Sequence, residues 1–189
     1  IDTRKYFVIC SNNIGSSYGS TNPMSIDPST KKEYRLKFPV LAISDVVKAQ
    51  MKLYKRLGIS NAVAVIGGSM GGMQALCYAI EFPTFAKDII ALATTAYTRP
   101  WAIALNKIGI EAIRHDPVFK NGNYKKDDPK ALGLPGLAVG RMAGLICYLS
   151  PTLFNNKFGR DYSSTDGLYE LFGRFEVEKY LEYNAYSFP

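Results

Sequence analysis

A fold of alternating strands and helices on a parallel sheet is predicted by three features of the chain. The apolar run Ala62-Val63-Ala64-Val65-Ile66 has the length and composition of a buried strand, and Ile89-Ile90-Ala91-Leu92-Ala93 repeats it. Between them, the stretch from Met73 to Phe82 has helical character. Strand, helix and strand in succession imply a right-handed crossover and a parallel pair. The third feature is the junction Gly67-Gly68-Ser69-Met70-Gly71-Gly72, where strand passes directly into helix. Such a turn holds its serine in a strained backbone conformation, while the flanking glycines let neighbouring chain approach and leave the hydroxyl exposed. G-x-S-x-G alone is a moderate signal; the strand before it and the helix after it make this one read as a nucleophile elbow.

Taken in order, Tyr6-Phe7-Val8-Ile9-Cys10 reads as a buried strand, followed by a long loop from Ser11 to Pro39 rich in Asn, Gly, Ser and Pro. Ser44 is placed to cap a helix in which Val46, Ala49, Leu53 and Leu57 recur at helical spacing, closed by Gly58. The elbow helix ends at Phe82-Pro83, and Ser69 stands at the carboxyl end of a central strand, where open sheets of this class bind ligands. From Thr94 onward helices without strands are expected, as an insertion lying over the sheet. Trp101 to Arg114 is helical, Asp116 to Pro135 a polar loop, and Gly136 to Leu149 helical again. The domain expectation is therefore a partial sheet core over 1–93 and a helical lid over 94–189.

Ser69 is the candidate nucleophile, and the backbone N–H of Met70 is the candidate donor to the oxyanion of a tetrahedral intermediate. A serine nucleophile needs a base, and the chain holds one histidine, His115. His115 sits in Ile113-Arg114-His115-Asp116-Pro117, at the end of a helical pattern, and precedes the later strands and loops that supply acid and base in this architecture. It is a poor base, and the chain is expected to be an incomplete piece. Arg141 and Tyr148, seven residues apart, would share one face of an otherwise apolar helix. Either Arg141 pairs with a protein carboxylate while Tyr148 packs, or the guanidinium grips a substrate carboxylate and Tyr148 adds a hydroxyl donor. Spacing alone favours the first.

At 189 residues, with 47% hydrophobic and 13% aromatic residues, the chain can bury a sizeable core, which excludes a disordered class. No apolar run is long enough to span a bilayer, and no membrane association is expected. Cys10, Cys77 and Cys147 are odd in number, widely spaced and in apolar settings, so reduced core thiols in a cytoplasmic protein are expected, with no disulfide frame and no metal site. The net charge of +7 is spread through Lys31-Lys32, Lys48, Lys52, Lys55-Arg56 and Lys125-Lys126, mostly as solvated faces. It would favour an anionic substrate such as a coenzyme A thioester only weakly. No nucleic-acid-binding module is present in the pattern, and no nucleic-acid partner is expected.

Five segments in order resemble the homoserine O-acetyltransferase family. They are Ile1-Asp2-Thr3 with the stretch to Cys10, Gly19-Ser20-Thr21-Asn22-Pro23, Gly67 to Gln74, Ala138 to Tyr148 with its Arg-Met-x-Gly-x-x-x-Tyr core, and Phe175-Glu176-Val177-Glu178-x-Tyr180-Leu181. The resemblance runs along essentially the whole chain. It implies an α/β-hydrolase fold with a helical lid, incomplete here. It also implies transfer of an acetyl group from acetyl-CoA, as substrate and not bound cofactor, to the hydroxyl of L-homoserine through an acyl-serine. By the same resemblance Ser69 is the nucleophile, Met70 the oxyanion donor, and Arg141 and Tyr148 face homoserine. The family's second oxyanion donor falls before residue 1, and its catalytic Asp and His fall after Pro189. Two positions depart from the family pattern: Ile110 stands where an arginine is frequent, four residues after Asn106, and Asn22 where glycine is usual. Asparagine tolerates the left-handed conformation such a glycine would take. The helical lid is the expected shield of the acyl-enzyme from water. Homoserine O-succinyltransferase, serine O-acetyltransferase, and an esterase or thioesterase of the same fold remain open. So does an assembly role, in which lid helices with the tyrosine-rich stretch 180–186 form a homodimer surface; that stretch reads equally as an amphipathic helix packed within its own subunit.

Overall fold

Strand β1 (Ala62–Gly68) and strand β2 (Ala86–Leu92) pair in parallel, in register from Ala62 opposite Ala86 to Gly68 opposite Leu92. The computed structural model describes residues 1–124, 134–163 and 175–187. They fall into two compact units, Ile1–Tyr97 and Thr98–Pro189. Lys125-Lys126 and residues 125–133 of the expected polar loop lie outside the described residues. β2 starts ahead of its apolar run because pairing begins where the Ala62 N–H reaches the Phe85 carbonyl at 2.7 Å.

The first unit is built on that pair. Helix α1 (Ile43–Arg56) precedes β1, and helix α2 (Met70–Glu81) joins β1 to β2. The cap of α1 is Ala42 rather than Ser44: the Asp45 carboxylate accepts the Ala42 N–H at 2.8 Å, and the Asp45 N–H turns back to the Ala42 carbonyl at 3.0 Å. The buried stripe also differs from the expected one. Val46, Val47, Gln50, Met51 and Tyr54 face inward, while Leu53 and Leu57 are exposed. Helical spacing admits both stripes, and packing on α2 and the β1–β2 connection selects the one carrying Tyr54, which stacks on Phe85 at 6.0 Å. Phe85 in turn stacks on Tyr78 of α2 at 5.6 Å. Val47, Met51, Tyr54, Tyr78 and Phe85 form the core cluster, each large side chain contributing about 1.5 to 3 kcal/mol by burial. Gly58, at φ 75°, closes α1 as expected.

A buried polar chain crosses this core. The Tyr78 hydroxyl donates to Gln50 Oε1 at 2.9 Å, and Gln50 Nε2 donates to Gln74 Oε1 at 2.9 Å and to Asn13 Oδ1 at 3.1 Å. Burial pushes the Tyr78 phenol well above its usual range, with Tyr54 adding to the effect. A folded-state pKa raised in this way keeps its stabilising effect intact below the unfolded value of about 10 and loses it as pH rises further. Tyr78→Phe should therefore cost about 1 to 2 kcal/mol at neutral pH, because Gln50 Oε1 loses its donor, and should flatten the loss of stability above pH ~10. Melting curves of the two proteins across that range check both effects.

Residues 6–10 do not form the expected strand. Tyr6, Phe7 and Val8 are exposed, and the Tyr6 N–H turns back to the Asp2 carbonyl at 3.1 Å. An apolar run becomes a strand only beside a partner edge, and among the described residues β1 is paired to β2 alone. Only Ile9 of this run packs against the core cluster. Asn22 is not left-handed either. It is absent from the residues of positive φ, and its side chain works as a hydrogen-bond hub, donating to the Ser16 and Ser20 carbonyls and accepting from the Met24 N–H at 2.8 Å.

The second unit is helical: α3 (Pro100–His115), α4 (Pro135–Ile146), α5 (Pro151–Phe158) and α6 (Glu176–Tyr186). Helices α3, α4 and α5 each begin with proline, whose missing N–H would have no intrahelical acceptor there. Helix α3 crosses α4 where Gly109 meets Gly140, close enough that a Cβ on Gly109 would lie 3.3 Å from the Gly140 Cα. The buried Asp116, just past α3, accepts the Gly136 N–H at 2.7 Å and the Val118 N–H at 2.8 Å, capping α4 from its neighbour. Helix α4 stops at Ile146, short of the expected Leu149, because Pro151 forces Ser150 into an extended conformation. Ser150-Pro151 opens α5, an unanticipated helix, with the Ser150 hydroxyl accepting the Leu153 N–H at 3.2 Å. Phe154 and Phe158 of α5 meet Tyr180 of α6, whose Tyr183 and Tyr186 point outward. No single described helix is long and apolar enough to cross a membrane; α4 and α5 together reach that length but are bent by 105°.

Candidate active site

Ser69 lies at the point where β1 becomes α2, with φ 54° and ψ −119°, a region that side chains other than glycine rarely occupy. The strain is held by bonds on both sides of the residue. Its N–H continues the ladder to the Leu92 carbonyl at 3.0 Å. Its carbonyl accepts from Gly72 N–H at 3.0 Å, from Met73 N–H at 3.2 Å and from the Thr94 hydroxyl at 2.6 Å. Those first bonds start α2 at Met70, ahead of the expected Met73, so Gly71 and Gly72 lie inside the helix rather than before it.

Two of the glycines are required by what surrounds them. A Cβ on Gly67 would fall on the Gly71 carbonyl, and one on Gly72 would sit 2.6 Å from the Thr94 side chain. Close approach at these two positions lets the helix begin directly beneath the strand end. The Ser69 side chain is exposed, with its hydroxyl bonded to no described residue. Met70 N–H, in the first turn of α2, has no intrahelical acceptor and belongs to the peptide that follows Ser69. An exposed hydroxyl beside an uncommitted amide at a helix N-terminus is an arrangement suited to attack on a carbonyl and stabilisation of the resulting oxyanion.

The other candidates lie in the second unit. His115 is the last residue of α3, four-fifths exposed, with Nδ1 2.9 Å from the Glu111 carbonyl and 3.5 Å from the Glu111 carboxylate. Lys107, with Arg114 and His115 adding to it, holds the Glu111 carboxyl below its usual range. Arg141 is half-buried on α4, and its Nε donates to the Asn184 carbonyl of α6 at 3.4 Å. Tyr148 lies in the turn after α4 and is exposed, so the two-turn, one-face relation to Arg141 does not hold. The cysteines differ from expectation too: Cys10 and Cys147 are exposed, Cys77 is half-buried, and all are free. Their apolar neighbours in sequence do not enclose them, because residues 6–10 are not in a sheet and Cys147 follows the end of α4. Burial pushes the Cys77 thiol up, away from the reactive thiolate form. Sequence reasoning did not single out Thr94. Its one signal is a hydroxyl just past the carboxyl end of the strand beside the elbow.

A strained, exposed serine at a strand-to-helix turn, beside a parallel neighbour, has the geometry of a nucleophile elbow of the α/β class. The family model described as alpha/beta hydrolase fold matches residues 1–165, and the chain belongs to that family. Over its whole length it is 61% identical to a homoserine O-acetyltransferase of Sulfurimonas autotrophica and 59% identical to one of Nautilia profundicola. It covers 51% and 52% of those proteins, so the chain spans about half the length of the curated relatives it matches. Among solved structures, it resembles homoserine O-acetyltransferase from Bacillus anthracis with a TM-score of 0.76 and 28% identity, over 88% of this chain and 44% of that one. Esterase E22 aligns with a TM-score of 0.73 and 32% identity, over 88% of this chain and 45% of that one.

Proposed function

We propose that this chain is the nucleophile-bearing part of a homoserine O-acetyltransferase, which moves the acetyl group of acetyl-CoA to the hydroxyl of L-homoserine on the route to methionine. The observation that carries the reading is the 61% identity to a homoserine O-acetyltransferase along the entire chain, elbow included. Ser69 Oγ attacks the thioester carbonyl, a histidine outside this chain takes its proton, Met70 N–H supports the oxyanion, and CoA leaves as its thiol. The homoserine hydroxyl, deprotonated by the same base, then attacks the acetyl-serine ester and releases O-acetylhomoserine. Acetyl-CoA is a substrate here and no resident cofactor is invoked. A cytoplasmic homodimer completes the reading.

A second reading, ester hydrolysis, is favoured by the likeness to esterase E22. The full-length protein incubated with acetyl-CoA separates them. An acetyl adduct on the peptide containing Ser69, discharged faster by L-homoserine than by water or L-serine, supports the transferase. Equal discharge by water alone indicates the esterase, and an adduct on Cys77 or Cys147 removes the elbow assignment. Succinyl-CoA in parallel identifies the acyl donor.

Arg141 is assigned to the acceptor carboxylate, and Tyr148, beyond the end of α4, to a separate hydroxyl contact with the acceptor. Lysine keeps the charge but loses the planar fork. Arg141→Lys should therefore lower transfer to homoserine by about one to two orders of magnitude while acylation of Ser69 stays near the wild-type rate. Because Arg141 also bonds the Asn184 carbonyl, equal loss of acylation and transfer with a lower Tm would assign it to the α4–α6 packing instead.

A further inference from the structure

We propose that Thr94 is a positioning residue for the oxyanion donor, an inference that rests on the serine-nucleophile reading of Ser69. The Ser69 carbonyl and the Met70 N–H are opposite ends of one rigid peptide plane. Whatever holds the carbonyl therefore aims the amide. The Thr94 hydroxyl donates to that carbonyl at 2.6 Å, the shortest of the three bonds it accepts. The other two, from Gly72 and Met73 N–H, are the ordinary bonds that open a helix. Among the described residues, Thr94 alone reaches the plane from a different element.

Its own placement is constrained. Gly68 and Leu92 are opposite each other in the parallel pair, so the residues that follow them, Ser69 and Ala93, stand side by side at the carboxyl ends of β1 and β2. Both have positive φ, 54° and 45°. The turn at Ala93 directs Thr94 back towards the elbow, where its methyl and Cβ lie against Gly72 so closely that a Cβ there would be 2.6 Å away. Thr94 is half-buried, and its hydroxyl and methyl hold two successive parts of the elbow, the Ser69 carbonyl and the Gly72 backbone.

Two effects follow for the Met70 amide. Its direction is fixed before the oxyanion forms, so no reorganisation is needed at that moment. A hydrogen bond to the carbonyl also withdraws electron density through the amide, which makes the N–H a stronger donor. Both effects act on the transition state, where the oxygen carries charge, and barely on the ground state. That separates them from a purely structural role.

Thr94→Val and Thr94→Ser in the full-length protein test the assignment. Valine keeps the methyl packed on Gly72 and removes the hydroxyl; serine keeps the hydroxyl. Thr94→Val should slow acylation of Ser69 by acetyl-CoA about tenfold. It should weaken binding of a trifluoromethyl ketone analogue of the acetyl donor, which forms an oxyanion on the serine, by a similar factor. CoA affinity and Tm should stay at wild-type values, and Thr94→Ser should keep most of the rate. Wild-type acylation by Thr94→Val overturns the inference, as does equal weakening of CoA and of the ketone, or a rate loss in both variants that follows a falling Tm. If the wild-type protein forms no Ser69 adduct, the functional reading and this inference fall together. If it does and Thr94→Val matches it, this inference alone falls.

Discussion

Ser69→Ala is expected to abolish the acetyl adduct and to lower acyl transfer by about four to six orders of magnitude, the scale seen when a nucleophile of this kind is removed. Nothing else described at the elbow offers an exposed nucleophile: Cys77, on the same helix, is half-buried with its thiol pushed towards the neutral form. A companion variant separates chemistry from strain. Ser69→Gly removes the hydroxyl as well, but glycine adopts φ 54° freely, so this inactive protein should be about 1 kcal/mol more stable than the wild type. Intact-mass measurement after exposure to acetyl-CoA reads the first effect and denaturant unfolding the second. A stabilised Ser69→Gly variant that still accepts the acetyl group would end the nucleophile assignment.

Gly67→Ala should have the largest effect on stability, about 3 kcal/mol. The added Cβ lands on the Gly71 carbonyl, and neither backbone can give way easily. β1 is held in register against β2, and the first turn of α2 is fixed by the bonds to the Ser69 carbonyl. Gly68→Ala is the internal control, since a Cβ there meets nothing within 4 Å and the cost should stay within about 0.5 kcal/mol. A shift of the denaturation midpoint at constant m for Gly67→Ala, with none for Gly68→Ala, is the expected result. Equal shifts would mean that the elbow glycines act through chain flexibility and not through the space they leave.

The elbow was legible because its signal is local. Strand-forming residues, a glycine-flanked serine and a helix-forming stretch lie within about twenty consecutive residues, and the close approach of Gly67 to the Gly71 carbonyl is itself a local contact. Helix α3 was legible for a similar reason, since Trp101 to Arg114 carries its own periodicity and the structure extends it only to Pro100–His115. The errors fell where a neighbour decides. Residues 6–10 have strand composition, but a strand needs an edge to pair with. Two stripes of α1 satisfy the helical period, and only packing against Tyr78 and Phe85 selects the one that is buried.

Tyr148 shows the same limit at shorter range. Its spacing from Arg141 is right for one helical face, yet Pro151 ends the helical conformation before the spacing can act. Thr94 shows it at longer range: twenty-five residues separate it from Ser69 in the chain, and only the parallel register brings its hydroxyl to the Ser69 carbonyl. By itself, then, the sequence determined the elbow, its nucleophile candidate and the alternation of strand and helix, because each follows from contacts between residues near in the chain. Tertiary structure alone decided which helix face is buried, which apolar run is a strand and which side chain braces the Ser69 peptide, because those depend on surfaces that meet only once the chain has folded.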